Sequence, residues 1–173
     1  MMARVALLLC IALLPIVACE RRPHVAEDGS AQVAPGYERI VAIRQAAAEV
    51  PSAIDVMPLR DPAVDELLTA AYRLEDAVRY RDAGVALRQA YALQPDSPEV
   101  QQRMAENAYF LGDFEQAESR ALTAWRRGAR VGGLCLRHWL LVAEARAAMG
   151  NVQGETEARE QAQQCAQQRP ARF

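Results

Sequence analysis

Lysine is missing from this 173-residue chain: all 20 basic side chains are arginine. That excludes a P-loop, which needs a lysine on its phosphates, and lysine Schiff-base chemistry. Histidine is scarce, with His24 and His138 alone and at no metal-ligand spacing. The chain holds no G-x-S-x-G, H-E-x-x-H, C-x-x-C or G-x-G-x-x-G pattern. Carboxylate pairs such as Asp61/Asp65 and Glu75/Asp76 read as solvated helix faces. These absences argue against an enzyme and imply no cofactor, no metal and no small-molecule substrate. No apolar run reaches the roughly 20 residues that a spanning helix requires. The formal charge of −2 and the lack of a basic stripe give no sign of nucleic-acid binding. Arg120, Arg126, Arg127 and Arg130 do cluster, but arginine at a helix end complements the helix dipole.

What is present begins at the start. Arg4 precedes a run of 14 residues, Val5 to Ala18, that is apolar, interrupted by Pro15 and closed by small residues. This is the layout of a secretory signal peptide over residues 1–18. The run ends in Ile16-Val17-Ala18-Cys19, which resembles the lipobox of bacterial lipoproteins. The resemblance implies cleavage before Cys19 and acylation of that residue. A plain cleavable signal or an uncleaved anchor is the alternative. Each buried methylene contributes about 0.8 kcal/mol, so two or three acyl chains hold a soluble domain at a bilayer. Under the enteric sorting rule that the resemblance brings, Glu20 implies a periplasm-facing outer-membrane anchor. Other rules leave the inner membrane open.

Residues 19–35 then form the lipidated Cys and a polar tether containing Pro, Gly and Ser. A first helix is predicted over Gly36 to Val50, with Ile40, Val41 and Ile43 on its apolar side, ended by Pro51. Residues 52–61 read as a loop, and 169–173 as a C-terminal tail.

Between them the chain repeats itself. Shifted by 34 residues, Ala71 falls on Ala105, Tyr80 on Phe114, Ala83 on Ala117 and Ala90 on Ala124. Small residues recur where helices cross closely, and an aromatic recurs at the turn. Gly112-Asp113 has the chemistry of a helix stop followed by a start. Asp96-Ser97-Pro98-Glu99 is a further helix start. The pattern resembles the tetratricopeptide repeat, a helix–turn–helix unit of 34 residues. Pro95 matches the terminal Pro of that family. A third unit follows Val131-Gly132-Gly133. There Trp139, Val142, Ala143, Ala145 and Gly150-Asn151 match the motif, and Ala162 fits in its second helix. Departures are Val78 at the turn Gly, Glu155 at the constant Ala, and a four-residue insertion at 132–135. The implied fold, over 36–168, is an all-α solenoid of about three hairpins, seven helices with the N-terminal extra helix. That extra helix would cap the stack, and the polar last helix, from Val152 to about Gln167, would cap the other end.

The resemblance also implies a concave binding surface lined by the first helix of each unit. Here that surface comprises Asp65, Leu68, Tyr72, Glu75 and Asp76, then Glu99, Gln102, Glu106, Tyr109 and Phe110, then Arg137, Leu140 and Glu144. The family's clamp for a terminal carboxylate needs Lys and Asn where this chain has Leu68 and Tyr72. The surface is instead acidic with interspersed aromatics. It suits a segment, extended or helical, that carries arginine or lysine and an apolar anchor. Tyr72 and Tyr109 can alternatively pack between repeats.

Cys10 leaves with the signal and Cys19 carries lipid, leaving Cys135 and Cys165. They lie symmetrically about Gly150, as two residues facing each other across a helical hairpin. An oxidising compartment favours their bridging over two buried thiols. A loop of that size stabilises by about 3–4 kcal/mol on the chain-entropy account. The function implied is a non-catalytic envelope adaptor with protein partners. The alternative is a structural or assembly subunit, pilotin-like, of an envelope, secretion or pilus complex. Replacing Cys19 by Ser is expected to abolish labelled-palmitate incorporation and move the protein from membrane to soluble fractions. Undiminished labelling of the variant would refute the assignment of Cys19.

Overall fold

The computed structural model describes residues 33–50 and 61–167. Expectations for the signal, Cys19, Glu20, most of the tether, the loop at 52–60 and the C-terminal tail lie outside those residues. The described part is helical throughout: α1 (Tyr37–Glu49), α2 (Pro62–Asp76), α3 (Tyr80–Leu93), α4 (Pro98–Phe110), α5 (Phe114–Arg127), α6 (Gly132–Ala148) and α7 (Val152–Gln167). Helices α2 to α7 form three successive antiparallel hairpins, each packed on the next. The all-α solenoid is therefore the architecture.

Local chemistry sets the helix boundaries. Asp61 accepts from the Ala63 N–H at 2.9 Å, Ser97 from Val100 at 3.3 Å and Asp113 from Gln116 at 3.0 Å. Asn151 does the same for Gly154 at 2.9 Å. Each satisfies an amide that the first helical turn leaves unpaired. Pro62 and Pro98 occupy first positions, where no amide is needed.

The three hairpin turns are copies of one another. Arg79 N–H reaches Leu74 O, Asp113 N–H reaches Ala108 O, and Asn151 N–H reaches Arg146 O, at 2.7, 2.9 and 2.9 Å. Each closure requires a left-handed residue just before the donor. Gly112 and Gly150 supply it at φ 78° and 76°, and Val78 at φ 60°. A β-branched residue there costs about 1–2 kcal/mol. Val78 offsets part of that by packing on the core beside Tyr80 and Phe110. The spacing from Val78 to Gly112 is one repeat, and the longer interval to Gly150 accommodates the insertion.

Ala71, Ala83, Ala90, Ala105, Ala117 and Ala124 are all fully buried, as their recurrence suggested. In α7 the pattern slips. Glu155 is half-buried and pairs with Arg159 at 2.9 Å, while Gly154, Ala158 and Ala162 form the close-packed stripe. The small residue thus sits one place earlier than the repeat alignment puts it, and its carbonyl accepts from Arg146 at 2.9 Å. Cys135 and Cys165 are bridged across the α6–α7 hairpin, with Cα atoms 5.6 Å apart. Trp125 and Trp139 pack edge to face beside them, at 5.0 Å between ring centres.

Helix α1 departs from expectation. It does not cap the first hairpin. It packs chiefly against α6. Its apolar stripe, Ile40, Ile43 and Ala47, includes Arg44, one residue after Ile43. A charge in that stripe requires buried partners, and Arg44 finds them in Glu75 and Glu106. At its C-terminal end α1 touches the start of α6. A Cβ added to Gly133 would stand 2.1 Å from the Ala47 carbonyl oxygen, so only glycine admits this approach. Gly133→Ala is expected to lower unfolding free energy by about 1–3 kcal/mol, as overpacking does. Chemical denaturation measures it, and an unchanged midpoint would show that α1 does not hold this position.

Candidate functional site

The face lined by α2, α4 and α6 is where the sequence places a binding surface. Helix α1 lies on it. Ala34 N–H donates to the Tyr80 hydroxyl at 3.1 Å, and Tyr37 donates to Asp76 at 3.2 Å. The Tyr37 and Tyr80 rings flank Phe110, at 5.7 and 4.9 Å between centres. A Cβ on Gly36 would meet the Tyr109 ring at 2.8 Å. Further along, Arg39 pairs with Glu144 at 2.9 Å, and Glu144 also accepts from Arg159 at 2.8 Å.

Arg44 is the centre of the contact. Its guanidinium donates to Glu106 Oε2 at 2.6 and 2.9 Å and to Glu75 Oε2 at 3.0 Å. It lies 5.0 Å from the centre of the Tyr72 ring. Glu106 is fully buried and also accepts from Arg137 at 2.5 and 2.7 Å and from Gln102 at 3.0 Å. Burial opposes its charge, but Arg137 and Arg44 outweigh burial and hold the carboxyl well below the usual range. Those two guanidiniums lose solvation as well, yet Glu106 raises both above the ordinary arginine value.

Glu75 behaves differently. Burial is the largest influence and pushes its carboxyl up against the pull of Arg103 and Arg44. Its Oε1 has no hydrogen-bond partner among the described residues. Arg103 Nη2 lies 3.1 Å from Glu75 Oε2 but out of line for a hydrogen bond. The guanidinium of Arg103 instead lies over Tyr72 at 3.4 Å from the ring centre, and burial lowers its affinity for the proton. Three arginines and two glutamates thus share one enclosed site, with an aromatic face compensating part of the excess.

The residues singled out from sequence fall into two groups. Glu75, Gln102, Glu106, Tyr109, Phe110 and Glu144 come together on this face and are buried, several by α1 directly. Leu68 is buried within the first hairpin with Val64 and Ala71. Arg137 and Leu140 are partly covered. Asp65 and Asp76 are exposed, Glu99 is half-exposed, and Tyr72 keeps 40% of its surface. The arginines near the end of α5 are engaged locally: Arg127 pairs with Asp96 at 2.7 Å, and Arg130 stacks on Trp125 at 3.9 Å. Arg39, Arg44, Arg103 and His138 escaped the sequence reading as parts of the site. The available signal was the position of Arg44 inside an apolar stripe.

Among the described residues no group of His, Cys, Asp and Glu side chains could hold a metal ion. Both central carboxylates are committed to guanidiniums. The arrangement holds an arginine-bearing helix of the same chain, α1.

His138 extends the network inward. Gln102 donates through its amide nitrogen to Glu106, so its oxygen accepts from His138 Nδ1 at 2.7 Å. His138 Nε2 then lacks a partner among the described residues. Burial, helped by the charge of Arg137, pushes the imidazole down to about 3. The ring is therefore neutral in the fold, whereas in the unfolded chain it titrates near 6.5. Its contribution to stability is whole above pH 6.5 and is lost as pH falls towards about 3, because only the unfolded chain binds the proton. From pH 7 to 5 the wild type is expected to lose about 2 kcal/mol that His138→Gln retains. Urea titrations at the two pH values measure it, and equal losses in both proteins would contradict the assignment.

No known family profile matches the chain, and no curated protein does. Among solved structures, the globular C-terminal domain of P. aeruginosa LpoP is similar. The sequences are 30% identical, the match covers 60% of this chain and 97% of that one, and the TM-score is 0.57. With nearly all of that domain matched at this identity, the chain belongs to the family of the LpoP globular C-terminal domain.

Proposed function

We propose that this protein is a non-catalytic envelope adaptor, anchored through acylated Cys19 in the outer membrane and facing the periplasm. Its helical hairpins, which we read as tetratricopeptide-like, recognise a segment of a partner protein. One observation carries the reading: the face of α2, α4 and α6 already grips an arginine-bearing amphipathic helix through Arg44, Glu75, Glu106 and Tyr72. The kinship with a domain of LpoP supports an envelope setting. A partner helix of the same chemistry would engage the exposed margin at Asp65, Tyr72, Asp76 and Glu99. It would reach Glu75, Gln102, Glu106, Tyr109, Phe110, Arg137, Leu140 and Glu144 by taking the place of α1.

The filled face also favours a second reading, a structural or assembly subunit with no free groove. Arg44→Met separates the two. Removing one partner from a buried ion cluster costs about 3–5 kcal/mol. If the face accepts helices, a peptide with the sequence of residues 36–50 is expected to raise the melting temperature of the Arg44→Met chain saturably. The same peptide with Met at the arginine position would do so much less. No stabilisation by either peptide would reject the adaptor reading of this face in favour of the sealed subunit.

A further inference from the structure

On the opposite side of α4 from α1 lies a second concavity, between α3 and α5. It is a cleft of about 440 Å³, rimmed by Arg81, Arg88 and Arg120 and floored by Leu87, Met104 and Leu111. None of these three guanidiniums is ion-paired among the described residues. Arg120 bonds only to neutral groups, Gln116 Oε1 at 3.1 Å, Gln101 Oε1 at 3.4 Å and Met104 Sδ at 3.6 Å. The acid at the cleft, Asp113, spends its carboxylate on the N-terminus of α5 and the Gln116 amide. Three arginines thus share a surface on a chain whose net charge is negative.

The apolar element is equally out of place. Val85 is 46% exposed and Leu111 48% exposed. Arg81, Val85 and Arg88 follow one another at helical spacing, so α3 presents a stripe of charge, aliphatic, charge. The two positions stand about 10 Å apart along the helix axis, two turns at 1.5 Å per residue. The pattern has a natural complement: a helix with carboxylates two turns apart and aliphatic side chains between them. Laid along α3, its carboxylates would meet Arg81 and Arg88. Its aliphatic side chains would cover Val85 and enter the cleft over Leu87, Met104 and Leu111.

We propose that this cleft docks an acidic amphipathic helix of a partner protein. It is a second site, and it does not depend on the face that holds α1 binding anything else. The full chain in detergent is titrated with a labelled synthetic helix bearing glutamates two turns apart and leucines between them, followed by fluorescence anisotropy. Saturable binding is expected. The double variant Arg81→Glu, Arg88→Glu is expected to weaken it at least about tenfold. Its melting temperature would stay at the wild-type value, since both side chains are exposed. A helix with arginine in place of glutamate would bind that variant in preference to the wild type.

Three results would overturn the proposal. One is absence of saturable binding. Another is equal binding of a peptide of the same composition with its leucines moved off the stripe, which would show charge attraction alone. The third is stronger arginine-dependent binding of inorganic phosphate or of phosphatidylglycerol vesicles, which would make the occupant a small anion or a lipid surface.

Discussion

The carboxylate of Glu106 ties three helices into one object. It sits in the middle of α4 and takes hydrogen bonds from Arg44 of α1 and Arg137 of α6, with Gln102 completing its shell. An ionised carboxylate without partners would be too costly to bury, so each guanidinium is a condition for the others' placement. Glu75 and Arg103 share the same enclosure with a poorer fit, and Tyr72 spreads its ring under both Arg103 and Arg44. Such clusters contribute little net stability against an apolar core of equal volume, but removing one partner from them is costly. Here the cluster positions α1.

Because α1 is held this way, the face lined by α2, α4 and α6 is an internal interface. The helix that fills it has the chemistry that an acidic, aromatic surface would select: guanidiniums beside short aliphatic stretches. On the other side of α4, arginines rim a cleft whose acid is committed to a helix cap, and aliphatic side chains lie open between them. The arginines of the first face are ion-paired within the fold, whereas those of the cleft have no carboxylate partner among the described residues.

Much of the fold was legible in the sequence. The stop at Gly112, the caps at Ser97 and Asp113, and the small residues at Ala71, Ala83 and their 34-residue counterparts all act within a turn or two of themselves. Val78 was visible as a departure from the repeat, and it takes the left-handed turn anyway because its closing hydrogen bonds and core contacts are retained. The Cys135–Cys165 bridge followed from symmetry about one turn. The site was half legible. The residues of the face were identifiable, but several are covered by the chain's own helix. His138 read as an ordinary helical histidine, although it props Gln102 against Glu106. Arg44 was printed in the middle of an apolar stripe, a contradiction that pointed to a buried acid without saying which.

The sequence by itself determined the helices, their order and their hairpin pairing, because caps, turns and periodic apolar stripes depend on near neighbours. Only the tertiary structure decided where α1 lies, which of the acidic residues remain accessible, and that Arg81 and Arg88 go without carboxylate partners among the described residues. Those outcomes rest on compensating charge between residues such as Arg44 and Glu106, 62 positions apart. Nothing local distinguishes a carboxylate that will be buried against a guanidinium from one that will face water.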